Sequence, residues 1–177
     1  EGEKKISVTD MLVKLVALVL ADHPWLNSSL LEESVVFHQD INIGLAVALE
    51  EGLIVPVVKN ADQKTLQKIA TETRDLIARA REGTLVSADV KGGTFTISNL
   101  GPYGIEAFTA IINPPEVGIL AVGATTNEVV ALGEDVFGVQ PVMRVTLSAD
   151  HRVVDGAVAA RFMEDLKTRL EDPPDML

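Results

Sequence analysis

Between Ile41 and Leu49 the chain alternates strictly, with Ile41, Ile43, Leu45, Val47 and Leu49 interleaved by Asn42, Gly44, Ala46 and Ala48. A period of two is that of an extended strand, because successive side chains leave opposite faces. One face is therefore a core face. The other carries only small side chains, so another element or a ligand can approach it closely. After the turn at Glu51-Gly52, residues 53–59 form a second strand, and the two read as a hairpin. Pro56 has no N–H to give to a ladder, which confines this second strand to an edge or a bulge.

A chain that contains such a hairpin must cover its apolar face with something, and the flanking segments supply helices. Ser7 or Thr9 can cap a helix running to about Asp22, which His23-Pro24 stops; it is apolar nearly all round, so it is expected to be buried on most sides. Residues 65–82 form a second helix, closed by Gly83. Residues 157–170 form a third, with Val158, Phe162, Met163, Leu166 and Leu170 at core spacing. Short strands are expected at 34–38, 94–99, 118–123 and 142–148, and a turn-rich loop occupies 101–115. Runs of antiparallel-type strands with a few helices, and no repeat or linker, predict one α+β domain built as a layered sandwich.

Composition removes several kinds of chemistry. The 177 residues contain no cysteine, which excludes a disulfide framework, a cysteine nucleophile and a thiolate metal site. Three scattered histidines give no metal-ligand spacing, so no metal is expected. A net charge of −11 is the wrong sign for nucleic-acid binding. The longest apolar run, Met11 to Ala21, includes Lys14 and is too short to span a bilayer. The default is a protein with neither nucleic acid nor membrane as partner.

Three features could carry function. His151 lies in Asp150-His151-Arg152-Val153-Val154-Asp155-Gly156, between a strand and the last helix, where a turn can hold an imidazole at the rim of a sheet. Imidazole's ordinary pKa leaves it mostly neutral at pH 7, as a general base requires. The same residues also read structurally, with Asp155 as helix N-cap and Gly156 in a tight turn. Thr94, Thr96 and Ser98 put three hydroxyls on one strand face. β-Propensity alone accounts for threonines there, and the functional alternative is that Ser98, at the strand end, donates a hydrogen bond to a developing oxyanion. Lys64, Lys68, Arg74, Arg79 and Arg81 make the second helix basic in an acidic chain; it is either a solvated face or a source of attraction for phosphate. His23 and His38 have no acidic or hydroxyl neighbour at a meaningful sequence spacing and read as structural.

The stretch SADHRVVDG (148–156) resembles the signature of 2-oxo acid dehydrogenase acyltransferases, whose fold is shared with chloramphenicol acetyltransferase. Three further stretches match that family in order: INIGLAVALEEGLIVPVVKNA (41–61), GGTFTISNLGPYGIEAFTAIINPPEVGILAVGA (92–124) and LEDPP (170–174). The similarity runs from about Ile6 to the end of the chain. It implies a two-layer α+β sandwich with a mixed sheet, of the chloramphenicol-acetyltransferase type. It also implies acyl transfer, acetyl in preference to succinyl from the SNLG–PYGI pattern, between dihydrolipoamide and coenzyme A. Under the resemblance His151 matches the general base, Ser98 the hydroxyl that stabilises the tetrahedral intermediate, and Asp155 an aspartate that holds the loop. Ser98, Asn99 and Gly123 fall where family members line the coenzyme A channel.

Further expectations come with the family. The active site forms between subunits of a homotrimer, which assembles into a larger hollow core, octahedral or icosahedral, docking through C-terminal residues such as Met176 and Leu177. The decarboxylase and dihydrolipoamide dehydrogenase components of the complex are the expected partners, in bacterial cytoplasm or mitochondrial matrix. Family catalytic domains carry an N-terminal arm and first helix ahead of the segment matching Ile6 to Asp22. Residues 1–177 are therefore read as a catalytic domain without that arm, and without the lipoyl domain or the peripheral-subunit-binding domain. Three other readings stay open: a catalytically silent core subunit, a branched-chain acyltransferase, and an antibiotic acetyltransferase on the same fold.

Overall fold

The computed structural model describes residues 6–133 and 135–173. Helix α1 (Val8–Leu20) starts where the sequence offers a cap: the Ser7 hydroxyl accepts from the Asp10 N–H while Asp10 accepts from the Ser7 N–H, a reciprocal capping box. Leu12, Val13, Leu15, Val16, Val19 and Leu20 are buried, and so is Lys14. The Lys14 ammonium is not left bare, since it donates to the carbonyl oxygens of Asp62 (2.7 Å) and Lys64 (2.8 Å). Burial still pulls its pKa below the usual lysine range, against the opposing field of Asp62. Helix α2 (Leu66–Glu82) is capped by the Thr65 hydroxyl and ends at Gly83, whose φ of 69° is the left-handed conformation that glycine adopts freely.

Strands β1 (Ser28–Leu31) and β2 (Ser34–Phe37) form a small antiparallel hairpin, of which only the second strand was expected. The predicted strand over 41–49 is two strands in two sheets. Strand β3 (Ile43–Leu45) runs in the main sheet, and β4 (Val47–Ala48) pairs with β5 (Leu53–Ile54) in a separate ribbon. Strand β6 (Val57–Val58) then rejoins β3 at the edge of the main sheet. Pro56 explains the break: it offers only its carbonyl, which accepts from Leu45 N–H at 2.8 Å, so the ladder cannot run through it. The close approach foreseen on the small-residue face is made at Gly44 by the chain itself. A Cβ there would lie 2.8 Å from Val55 and 2.9 Å from the Thr96 hydroxyl.

The main sheet has the order β6-β3-β7-β8-β9, with β7 (Phe95–Asn99), β8 (Gly118–Gly133) and β9 (Val136–Ala149). Its centre is parallel, β3 to β7 to β8, and its two edges are antiparallel. The expected antiparallel character thus holds only at the margins; the α2 crossover and the 100–117 loop bring strands back in the same direction. Strands β8 and β9 also run well beyond the segments read from sequence, as a two-stranded arm whose Val129, Phe137 and Val139 are exposed. Helix α3 (Gly156–Glu171) buries Phe162 and Leu166 in the same core as α1 and the inner strands. The Phe162 ring packs 5.8 Å from Phe95 of β7. The architecture is α+β with a mixed sheet.

Candidate active site

Strand β7 lies between two parallel neighbours, and the hydroxyls of Thr96 and Ser98 within it and of Thr94 just before it differ in what surrounds them. Thr94 Oγ1 exchanges hydrogen bonds with the Asn42 backbone, donating to its carbonyl (3.2 Å) and accepting from its N–H (3.0 Å). Thr96 donates to Glu116 Oε2 at 2.6 Å. Glu116 is buried, with Asn113 as its second, longer partner at 3.4 Å, and burial pushes its pKa up to about 7. Ser98 makes no side-chain hydrogen bond among the described residues and lines a cavity of about 190 Å³. Leu45, Val47, Leu53, Ile77 and Ile97 give that cavity apolar walls, while Thr9, Asn99, Tyr103 and Arg81 supply polar groups.

Asn99 also lines this cavity, but its amide is already engaged. Its Nδ2 donates to Thr9 Oγ1 (3.1 Å) and its Oδ1 accepts from Gly101 N–H (2.9 Å), which fixes the turn following Ser98. Gly123 lines a neighbouring cavity of about 330 Å³. Its missing side chain is required by the chain's own backbone, because a Cβ would fall 1.9 Å from the Glu106 carbonyl oxygen.

His151 is exposed, in the turn between β9 and α3. The turn is held by Asp150, whose carbonyl accepts from Val153 and Val154 N–H at 2.9 Å each and whose N–H donates to Val117. The Asp150 carboxylate pairs with Arg152, and the hydrogen bond from that guanidinium lowers its pKa below the usual range. Asp155 is the N-cap of α3: one carboxylate oxygen accepts from Ala157 and Val158 N–H, both at 2.9 Å. These bonds, Val158 first, hold its pKa low, with smaller contributions from Arg161 and His151. The structural reading of Asp155 is therefore a fact of the fold.

Within one chain His151 and Ser98 are far apart. Ser98 is in register with Ala121, and Ala121 with Thr146, whereas Asp150 binds back to Val117. The serine sits toward the C-terminal ends of the parallel strands and the histidine beyond their N-terminal ends. At about 3.3 Å per residue and about 4.8 Å between strands, their backbones are separated by roughly 15 Å or more. No described cavity is lined by both.

His23 and His38 have partners that sequence spacing hid. His23 Nε2 lies 2.7 Å from Asp165 and its ring packs edge-on to Phe162; His38 Nε2 lies 2.8 Å from the Ser29 hydroxyl. Both tie separate elements together. Among the described residues no cluster of ligating side chains could hold a metal ion, and no helix is long and apolar enough to cross a membrane. Residues 174–177, which hold the end of the LEDPP stretch and the expected C-terminal anchor, lie outside the described residues.

Residues 1–177 match the family described as 2-oxoacid dehydrogenases acyltransferase (catalytic domain). The chain is 47% identical over 99% of its length to component 2 of the dihydrolipoyllysine-residue acetyltransferase of the mitochondrial pyruvate dehydrogenase complex of Arabidopsis thaliana. It is 44% identical over 98% of its length to the corresponding component of Rickettsia felis. It spans 33% and 42% of the length of these two relatives. Among solved structures, the cubic core of a pyruvate dehydrogenase multienzyme complex superposes with a TM-score of 0.91 at 39% identity, covering 95% of this chain and 70% of that one. The same values hold for the Azotobacter vinelandii dihydrolipoamide acetyltransferase, from work on the role of a serine, a histidine and an asparagine in its catalytic mechanism. A chloramphenicol acetyltransferase shares the fold at 16% identity, with a TM-score of 0.60 over 92% of this chain and 77% of that one.

Proposed function

The chain belongs to the family of 2-oxoacid dehydrogenase acyltransferase catalytic domains, and from that premise we propose that residues 1–177 are a catalytic domain that moves an acetyl group between dihydrolipoamide and coenzyme A. The observation that carries this reading is the Ser98 hydroxyl, unpartnered among the described residues and lining a largely apolar cavity, while the like-facing Thr94 and Thr96 are bonded within the chain. A hydroxyl so kept is available to a developing oxyanion, where low surrounding polarity strengthens the hydrogen bond.

In this mechanism His151 takes the proton of the attacking thiol as its sulfur bonds to the acyl carbon. Ser98 donates to the oxygen that becomes negative. Collapse breaks the original carbon–sulfur bond, and His151 returns its proton to the departing thiol. One thioester replaces another, so no enzyme nucleophile is required, in keeping with a chain without cysteine. Positioning of both substrates supplies the remainder of the rate. Asp155 acts through α3: as N-cap it fixes the start of the helix and with it the turn that carries His151. The histidine and asparagine of the Azotobacter protein stand four residues apart, the spacing of His151 and Asp155, which supports equating the two sites.

The separation of His151 from Ser98 in one chain favours a site shared between neighbouring subunits, the histidine from one and the serine from the next. A homotrimer is the simplest ring that does this, and the cubic core among the structural relatives makes further assembly into a cage the expected state. There the domain would work with the lipoyl group, the decarboxylase and the dihydrolipoamide dehydrogenase, in a bacterial cytoplasm or a mitochondrial matrix. The test is an assay of acetyl transfer from acetyl-coenzyme A to free dihydrolipoamide, with His151→Ala as control. The variant is expected to lose about 10²–10⁴-fold in turnover while folding and assembling normally. Near-normal turnover would overturn the mechanism, and a wild-type protein that assembles but transfers nothing would be a silent core subunit.

A further inference from the structure

Among the cations on and beside helix α2, some are paired within the fold, while Arg81 lines the Ser98 cavity. Lys64 pairs with Glu72, and Arg79 with Asp75 and Asp89, so these are parts of the scaffold. Arg81 makes no ion pair or hydrogen bond among the described residues. It lines the Ser98 cavity, where it is the one charged residue in a wall otherwise apolar or neutral. It also lines the adjoining cavity of about 490 Å³, together with Thr9, Ile77, Arg74 and Asp10. The Asp10 carboxylate in that second cavity is occupied by Thr73 and by the Ser7 N–H and hydroxyl.

We propose that Arg81 binds a phosphate group of coenzyme A, anchoring the charged end of the substrate while its thiol lies at Ser98. The inference rests on the transferase reading given above. Coenzyme A has the matching polarity along its length: a thiol on a slender neutral arm, then phosphates. The cavities follow the same order, from the apolar walls around Ser98 to Arg81 at the junction with the second space. Their combined size falls in the roughly 300–1,000 Å³ span of small-molecule sites. A guanidinium suits phosphate because its planar fork can donate two parallel hydrogen bonds. In a chain of net charge −11, the wall of the Ser98 cavity holds one arginine and no carboxylate, which favours an anionic substrate there.

Position alone also allows a purely structural role, because a cation in the last turn of a helix favours the helix dipole. Calorimetric binding of coenzyme A and of pantetheine, which keeps the thiol arm and has no phosphate, separates the two roles. The measurement uses the full-length assembled protein and its Arg81→Gln variant. Arg81→Gln is expected to raise the Kd for coenzyme A about tenfold, leave that for pantetheine unchanged, and flatten the dependence of coenzyme A binding on salt. Equal losses for both ligands would show that the arginine acts through structure and would overturn the proposal. Unchanged coenzyme A binding would overturn it while leaving the transferase reading intact. Failure of the wild-type protein to bind coenzyme A would sink both. A variant that loses affinity only for an acidic lipoyl-bearing domain would assign Arg81 to protein docking instead.

Discussion

Replacing Ser98 by alanine removes a hydroxyl that no other side chain uses, so the fold has little to lose. The catalytic loss should be concentrated in turnover, since the bond to an oxyanion forms only as the carbonyl carbon becomes tetrahedral. Ser98→Ala is expected to lower kcat about 10²–10³-fold with KM nearly unchanged, measured by steady-state acetyl transfer. A change confined to KM would make Ser98 a ground-state contact. Thr96, two residues away on the same face, is its internal control: its hydroxyl is spent on Glu116. His151 and Asp155 divide in the same manner, the first exposed with its ring open to a partner, the second consumed by two N–H groups of α3.

At the scale of elements, Glu116 joins the 113–117 segment to β7 and also narrows the space beside Gly93, where a Cβ would meet its Oε1 at 2.7 Å. Its carboxyl is buried, and folding raises its pKa from 4.5 to about 7. The folded state therefore holds this proton more tightly than the unfolded chain. The stabilisation is complete below about pH 4.5 and is lost as the pH rises through 7, by at most about 3 kcal/mol. Glu116→Gln keeps the shape without the charge, so the stability of the variant relative to the parent should rise across that window. Denaturant titrations of both proteins from pH 5 to pH 8 test this, and parallel pH profiles would show that Glu116 is not the titrating group. The β8–β9 arm belongs to the same scale. Thr125, Asn127, Val129 and Ala131 alternate with Thr126, Glu128 and Val130, yet Val129 is largely exposed, so neither face of the arm is a purely apolar core face.

The whole molecule poses the question of where a complete site exists. The sheet register sets His151 and Ser98 near opposite ends of the strands, so activity is expected to depend on a neighbouring copy. A ring of three uses head-to-tail contacts, in which one surface of each subunit meets a different surface of the next. His151→Ala and Ser98→Ala chains, inactive alone, should then complement. When they are dissociated together and reassembled at equal amounts, random pairing leaves about one quarter of the interfaces with both residues intact. Recovery to roughly that fraction of wild-type transfer supports the shared site. Mixed assemblies that form but stay inactive would mean that each chain completes its own site, and the proposed arrangement would be wrong.

Local pattern was enough to locate the three helices and the Asp155 cap, because capping and apolar periodicity act within a few residues, while the structure chose Ser7 over Thr9 as the first cap and made Thr65 the second. The family motifs drew attention to His151 and Ser98 on similar grounds, each being a short stretch whose chemistry is local. Pairing partners are another matter, because hydrogen bonds across strands join residues distant in the chain. Sequence could not divide 41–49 between two sheets, reveal the parallel centre, or extend β8 and β9 into an arm. It could not decide which of the Thr94, Thr96 and Ser98 hydroxyls remained free, since Glu116 and Asn42 are brought to Thr96 and Thr94 only by the fold. Nor could it sort the cations on and beside α2: Arg79 and Lys64 have Asp75 and Glu72 near in sequence, while the cavity beside Arg81 is built from α1, α2 and four strands. Short-range geometry is written in adjacent residues; burial and long-range pairing exist only once the chain has closed on itself.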